Sequence, residues 1–191
     1  MNHFMHAKDY RGQDVTGWLM SEKLNGVRAM WDGKRLLSRS GNVFNAPEWF
    51  RGSVPKVKLD GELFVRRGFG APKTSGIVRK KVPINSEWKQ IRFHVFELPD
   101  CPLPFAGRLD VASKILSGNS VAQVVEHFPV TMEVLRAFHA AIVSDRGEAV
   151  MLKHPDCAYA PGRSGDHLKY FGERLPCAHD PLGGAIAFPV A

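Results

Sequence analysis

Residues that would assign the chain to several special classes are scarce. Its three cysteines, Cys101, Cys157 and Cys177, are odd in number and form no C-x-x-C pair, which argues against a disulfide framework and fits reduced thiols. His154 with Cys157, and Cys177 with His179, can be drawn together as a zinc site, but neither pair has a familiar zinc-ligand spacing. No apolar run approaches the length needed to span a bilayer, and the opening MNHFMHAKDYRGQDV lacks the apolar core of a secretory signal. The expectation is therefore a cytoplasmic protein with no membrane partner. Acidic residues are also in deficit: 19 Asp and Glu face 26 Lys and Arg, a net charge of +7. That balance suits a polyanion, nucleic acid or a triphosphate, without demanding one.

What is present is ordinary globular material, 44% hydrophobic and 24% charged over 191 residues, enough for one well-cored domain. The first third reads as β structure. GWLMSEKL and VRAMWDGKRLLSRSG are rich in strand-forming residues, and Asp32-Gly33 signals a tight hairpin turn. KVKLDGELFVRR alternates with period two, which puts Asp60 and Glu62 on one polar face opposite Leu59, Gly61 and Leu63. QIRFHVFELP carries apolar groups on both faces and so predicts an interior strand.

Two helices follow, GRLDVASKIL and TMEVLRAFHAAIVS. In the second, Val134, Leu135, Phe138, Ala141 and Ile142 form the apolar stripe and Thr131 is the cap. EAVMLKH and HLKYF read as further strands. From about Gly172 onward periodicity dissolves into Gly, Pro and Ala. The expected fold class is α+β, with largely antiparallel sheets and helices packed on them.

Within this frame lies Lys23-Leu-Asn25-Gly26-Val-Arg28, a K-x-[DN]-G-x-R pattern. Taken alone, Lys23 is more often a solvated lysine and Phe96 more often core packing, and Glu62 and Glu148 read as ordinary surface carboxylates. The pattern is followed in order by SRSG with Arg39, LDGEL with Glu62, FHVFEL with Phe96, GEAVMLK with Glu148 and Lys153, and HLKYF with Lys169. This series resembles the covalent nucleotidyltransferase superfamily and, within it, the small bacterial and phage ATP-dependent DNA ligases, from about Trp18 to Phe171.

The resemblance implies an ATP-grasp-like adenylation domain over residues 1–171, an irregular tail over 172–191, and nicked double-stranded DNA as substrate in repair, replication or recombination. It implies that the amine of Lys23 attacks the α-phosphate of ATP to give lysyl-AMP. A free lysine, with a pKa of about 10.4, is nearly all protonated at neutral pH, so cationic neighbours such as Lys169, Arg28 and Mg2+ would be needed to favour the free amine. By the same resemblance Glu62 binds the ribose hydroxyls, Phe96 stacks on adenine, Glu148 holds Mg2+, and Arg28 and Arg39 contact phosphates. Glu22 lies at the adenine edge, and Gly26 lets the backbone approach the nucleotide. Arg66, Arg67, Arg79, Lys80 and Lys81 read either as cations tracking a DNA backbone or as a solvated basic loop.

The chain departs from the family pattern at four points. Asn25 stands where aspartate is usual, Ala149 where glycine follows the glutamate, and Phe171 where a second lysine is expected. The 20 residues after Phe171 are too few for the five-stranded OB domain with which ligases clasp a nick. A partner protein supplying that clamp is one expectation. A catalytically impaired nucleotide- or nick-binding module, and an RNA ligase, are the alternatives.

Overall fold

A computed structural model describes residues 4–173. In chain order the elements are β1 (Met5–Asp9), β2 (Leu19–Lys23), β3 (Val27–Trp31), β4 (Leu36–Leu37), β5 (Val43–Phe44), α1 (Glu48–Ser53), β6 (Leu59–Phe64), α2 (Gly70–Val78) and α3 (Asn85–Trp88). They continue with β7 (Arg92–Glu97), α4 (Phe105–Ile115), β8 (Ala122–Val124), β9 (Phe128–Pro129), α5 (Met132–Ser144), β10 (Ala149–Lys153) and β11 (Gly162–Tyr170). Two sheets result, a five-stranded one ordered β1-β11-β10-β2-β9 and a six-stranded one ordered β5-β4-β3-β6-β7-β8. Pairing is antiparallel except at two places, β1 with β11 and β7 with β8.

Local chemistry accounts for the β-rich half. The β3–β4 hairpin turns at Asp32-Gly33, where Asp32 Oδ1 accepts from the amides of Lys34 and Arg35 and Gly33 has φ +92°. On β6 the period-two reading holds. Leu59 and Leu63 enter an apolar core with Trp31, Phe93 and Val95, onto which α1 and α3 add Phe50 and Trp88. Asp60 and Glu62 take the other face. β7 is interior, between β6 and β8.

The second helix candidate forms as α5, and Thr131 caps it by accepting the Val134 amide at 3.2 Å. Its stripe is narrower than its composition suggests. Leu135 and Ile142 are buried and Phe138 half-buried, whereas Val134 and Ala141 are exposed, because a helix resting on one flat sheet buries only a single line of contacts. Helices α1, α2 and α3 and strands β1, β5, β8 and β9 have no named counterpart in the sequence reading. α2 contains Gly70, Pro72 and Gly76, a composition that argues against helix, yet Pro72 sits in the first turn, where its missing N–H costs nothing. The tail expected over 172–191 lies outside the described residues from 174 onward.

Candidate active site

The two sheets face each other across a cleft of about 890 Å³. The five-stranded sheet contributes β2, β10 and β11, the six-stranded sheet contributes β3, β6, β7 and the β4–β5 turn, and α2 closes one side. Glu22, Lys23, Arg28, Arg39, Glu62, Phe96, Glu148 and Lys169 all line this one space, although they span almost 150 residues of sequence.

Lys23 ends β2 opposite Ala149 of β10, so Glu148, one residue earlier, meets its Nζ in a short ion pair. The charge in contact with the lysine is thus an anion, while Arg28 and Lys169, the cations expected near it, line the same cleft. Arg28 lies opposite Glu62 on adjacent strands but grips Asp60 with a two-point fork, Nε to Oδ1 at 3.0 Å and Nη2 to Oδ2 at 2.7 Å. Asp60 is fully buried and also accepts from the Tyr159 hydroxyl at 3.0 Å. Burial opposes the charge on Arg28, but Asp60 overcomes it and holds the guanidinium protonated.

Glu62 accepts the Gly26 amide at 3.1 Å. Burial pushes its carboxyl up to about 7 against the opposing pull of Arg28, Lys23 and that amide. Gly26 itself is required by the protein: a Cβ there would lie 2.3 Å from the Leu63 carbonyl oxygen. The resemblance implies a close approach to a nucleotide at the same residue. The neighbouring Asn25 accepts the Ala71 amide at 3.3 Å, tying the motif loop to the first turn of α2. A side-chain oxygen is all this contact requires, and asparagine and aspartate both supply one.

Phe96 lies half-buried on the cleft face of β7, between two cations. Arg28 is 5.0 Å from the Phe4 ring and 5.2 Å from that of Phe96, and Lys153 Nζ is 4.9 Å from Phe96. Lys153 also donates to the Phe96 carbonyl at 2.9 Å, which joins β10 of one sheet to β7 of the other. Burial lowers its ammonium to about 8, although Glu97 opposes the shift. Beneath it, Arg108 and Glu97 form a fully buried two-point pair at 2.7 and 3.1 Å.

Arg39 lines the cleft from the β4–β5 turn. Lys169 pairs with Asp9 at 2.8 Å, and its Nζ is 5.9 Å from the Phe171 ring. Glu22 turns its carboxylate onto Arg67, whose other nitrogen reaches Asp145. Arg67 is therefore committed within the protein and differs from the solvated or DNA-tracking cation of the sequence reading. Lys80 likewise pairs with Glu87. Sequence reasoning assigns no site role to Asp60, Glu97 and Arg108, and to Lys153 only a place in the motif series. Asp60 had a signal, its shared face with Glu62, whereas the partners of the other three depend on tertiary contact. Among the described residues no group of three or more His, Cys, Asp or Glu is arranged as a metal cage, and Cys177 and His179 lie outside them.

No family model matches the chain. A DNA ligase of Haemophilus influenzae is 32% identical over 163 residues, 84% of this chain and 60% of that protein. A solved Lig E DNA ligase is also 32% identical and superposes with a TM-score of 0.81 over 88% of this chain and 68% of that one. The chain belongs to the DNA ligase family. It spans about 60% of the length of the Haemophilus ligase. The fold is shared as well with the ATP-dependent DNA ligase of bacteriophage T7 in complex with ATP, at a TM-score of 0.71 and 17% identity over 89% of this chain and 68% of that one.

The donors of this ligase cleft fit a nucleotide with an accompanying hard cation. Glu148 offers carboxylate oxygen, and Mg2+ is commonly held by one or two carboxylates, phosphate oxygens and water, so a protein-only cage is not required. Arg28, Arg39 and Lys169 bring positive charge to the same space, and Phe96 presents an aromatic face. Among the described residues no helix is long and apolar enough to cross a membrane.

Proposed function

We propose that this chain carries the nucleotidyltransferase chemistry of an ATP-dependent DNA ligase, with Lys23 as the covalent nucleophile. The observation that supports it most is the convergence of all eight motif residues on one cleft, with Lys23 in contact with Glu148. In the proposed reaction the Lys23 ammonium loses its proton to water, which leaves Glu148, its partner in the resting chain, as a carboxylate. The Lys23 Nζ lone pair then forms a bond to the α-phosphorus of ATP, and the bond from that phosphorus to the bridging oxygen breaks, so that pyrophosphate leaves with the electron pair.

Arg28 and Arg39 bind phosphate oxygens, Glu62 accepts from the ribose hydroxyls, and Phe96 stacks against the base. Glu22 borders the adenine edge through its backbone, and Lys169 contributes positive charge beside the phosphates. Glu148 would hold Mg2+, which supplies charge neutralisation to the triphosphate when bound. AMP then passes to the 5′-phosphate of nicked duplex DNA, and the adjacent 3′-hydroxyl displaces it to seal the strand. The reading places the protein in the cytoplasm, in DNA repair, replication or recombination, with a clasp around the duplex supplied from outside the described residues or by a partner.

Intact mass spectrometry after incubation with ATP and Mg2+ tests the first step. The chain gains the mass of one AMP, chelation of the metal suppresses the gain, and Lys23→Ala abolishes it. An unchanged wild-type mass across pH and metal overturns the proposal and favours a nucleotide- or nick-binding module. Competition between nicked DNA and nicked RNA separates a DNA ligase from an RNA ligase.

A further inference from the structure

Arg67 follows β6 in the connection to α2, on the six-stranded side of the cleft, yet every contact of its guanidinium reaches across to the other side. Nε and Nη2 donate to the two oxygens of Glu22, at 3.0 and 2.8 Å, and Nη1 donates to Asp145. Glu22 immediately precedes Lys23 on β2. Asp145 begins the turn between α5 and β10 that leads to Glu148. That turn is built to come close. A Cβ at Gly147 would lie 3.2 Å from Glu22 Oε1 and 2.4 Å from Ile142 Cγ2, and Arg146 carries a positive φ of 61°.

The three side chains therefore tie together the segments on either side of the Lys23–Glu148 pair. We propose that Arg67 is a positioning residue for adenylation, a clasp that acts through Glu22 and Asp145 to hold the Lys23 amine and the Glu148 carboxylate in fixed relation. The inference rests on the proposed function, and it departs from any role for Arg67 in contacting phosphate or DNA.

Three features favour this assignment. The guanidinium is planar, and its two-point grip on Glu22 fixes the carboxylate in orientation as well as distance. The fork is committed to acidic partners, and the charge on Arg67 is held firmly by its bonds to Glu22 and Asp145. Finally, the side chain is only one-third exposed and Glu22 less so, which limits the water that competes for the inner contact. An amine that must approach phosphorus in line is sensitive to small displacements, so loss of the clasp acts on rate more than on nucleotide affinity.

Single-turnover self-adenylation, followed by intact mass across ATP concentrations, tests the proposal with wild type, Arg67→Ala, Arg67→Lys and Asp145→Asn. For Arg67→Ala the rate at saturating ATP falls roughly ten-fold or more while the half-saturating ATP concentration moves less than about three-fold. Arg67→Lys keeps the charge and recovers little, because a point cation does not reproduce the fork. Asp145→Asn weakens only the outer contact and gives an intermediate fall, which keeps the test open should Arg67→Ala fold poorly.

Salt dependence of nicked-duplex binding remains that of wild type for Arg67→Lys and Asp145→Asn. A wild-type chain that takes up no AMP overturns both the proposed function and this inference. A wild-type chain that is adenylated, beside a folded Arg67→Ala or Asp145→Asn chain equally fast at saturating ATP, overturns the clasp alone. Normal self-adenylation with a weakened salt dependence would instead assign Arg67 to DNA.

Discussion

Glu62 and Gly26 meet at the wall of the cleft, the carboxylate accepting the glycine amide at 3.1 Å, so the loop that carries the lysine motif is held to β6 by one charged side chain. The same carboxyl is pushed up to about 7 by burial. The native state therefore holds the Glu62 proton at pH values where the unfolded chain has released it. This group's favourable contribution is complete below the ordinary carboxyl value of 4.5 and is lost as pH rises through about 7.

Urea midpoints measured from pH 5 to pH 8 are expected to show that loss, on the order of 1–2 kcal/mol, and Glu62→Gln is expected to remove it. The amide oxygen of glutamine can still accept from Gly26. A pH slope identical in the two proteins would count against a raised Glu62.

Gly26→Ala forces a methyl group to within 2.3 Å of the Leu63 carbonyl oxygen, a backbone atom that cannot swing aside. The strand and loop must separate, and the expected loss is about 1–3 kcal/mol of stability, by analogy with overpacked cores. Thermal unfolding measures it. Self-adenylation of the residual folded protein should fall as well, since the movement displaces Lys23.

Glu148→Gln separates stability from chemistry. Both side chains of the Lys23–Glu148 pair are partly exposed, at 25% and 30%, so the pair contributes at most about 1 kcal/mol to folding. The melting temperature is expected to stay within a few degrees of wild type, while the initial adenylation rate with Mg2+ drops by roughly a hundred-fold. Equal rates would remove Glu148 from the site.

Arg108→Met tests the opposite regime. Arg108 and Glu97 are fully buried and joined by two bonds, and Arg108 also donates to the carbonyls of Leu103 and Cys157. Removing the guanidinium strands the carboxylate and takes a donor from each carbonyl, although the Cys157 carbonyl still accepts the Phe105 amide at 3.0 Å and Lys153 remains 3.8 Å from Glu97. A loss of roughly 3–5 kcal/mol is expected in chemical denaturation. Glu97→Gln, which keeps an acceptor in place, should lose less.

The elements visible in sequence were those whose hydrophobic period met a single neighbour. β6, β7 and α5 each show their buried side in the order of their residues, and the Asp32-Gly33 turn has a local cause. α2 is hidden because it depends on support that local propensity does not encode, Asn25 at its start and the core that its own Ile77 and Val78 enter. The cleft residues were found through an ordered series of motifs, and the chain belongs to the family that series indicated. Their partners were not found. Asp60 for Arg28, Arg67 for Glu22 and Asp9 for Lys169 are pairings between distant segments, and periodicity carries no record of which opposite charge a side chain will meet.

Strand order also sets a timetable for a chain emerging from the ribosome. Every strand of the six-stranded sheet lies between Val27 and Val124, so that sheet can assemble while later segments are still being made. The five-stranded sheet draws on both ends, because β1 must wait for β11 to pair in parallel and β2 is enclosed by β9 and β10. The strand bearing Lys23 is thus translated among the first and secured among the last. Until Lys153 has been added the strand lacks its β10 partner, and the nascent protein can hold half of a nucleotide site before it has the other half.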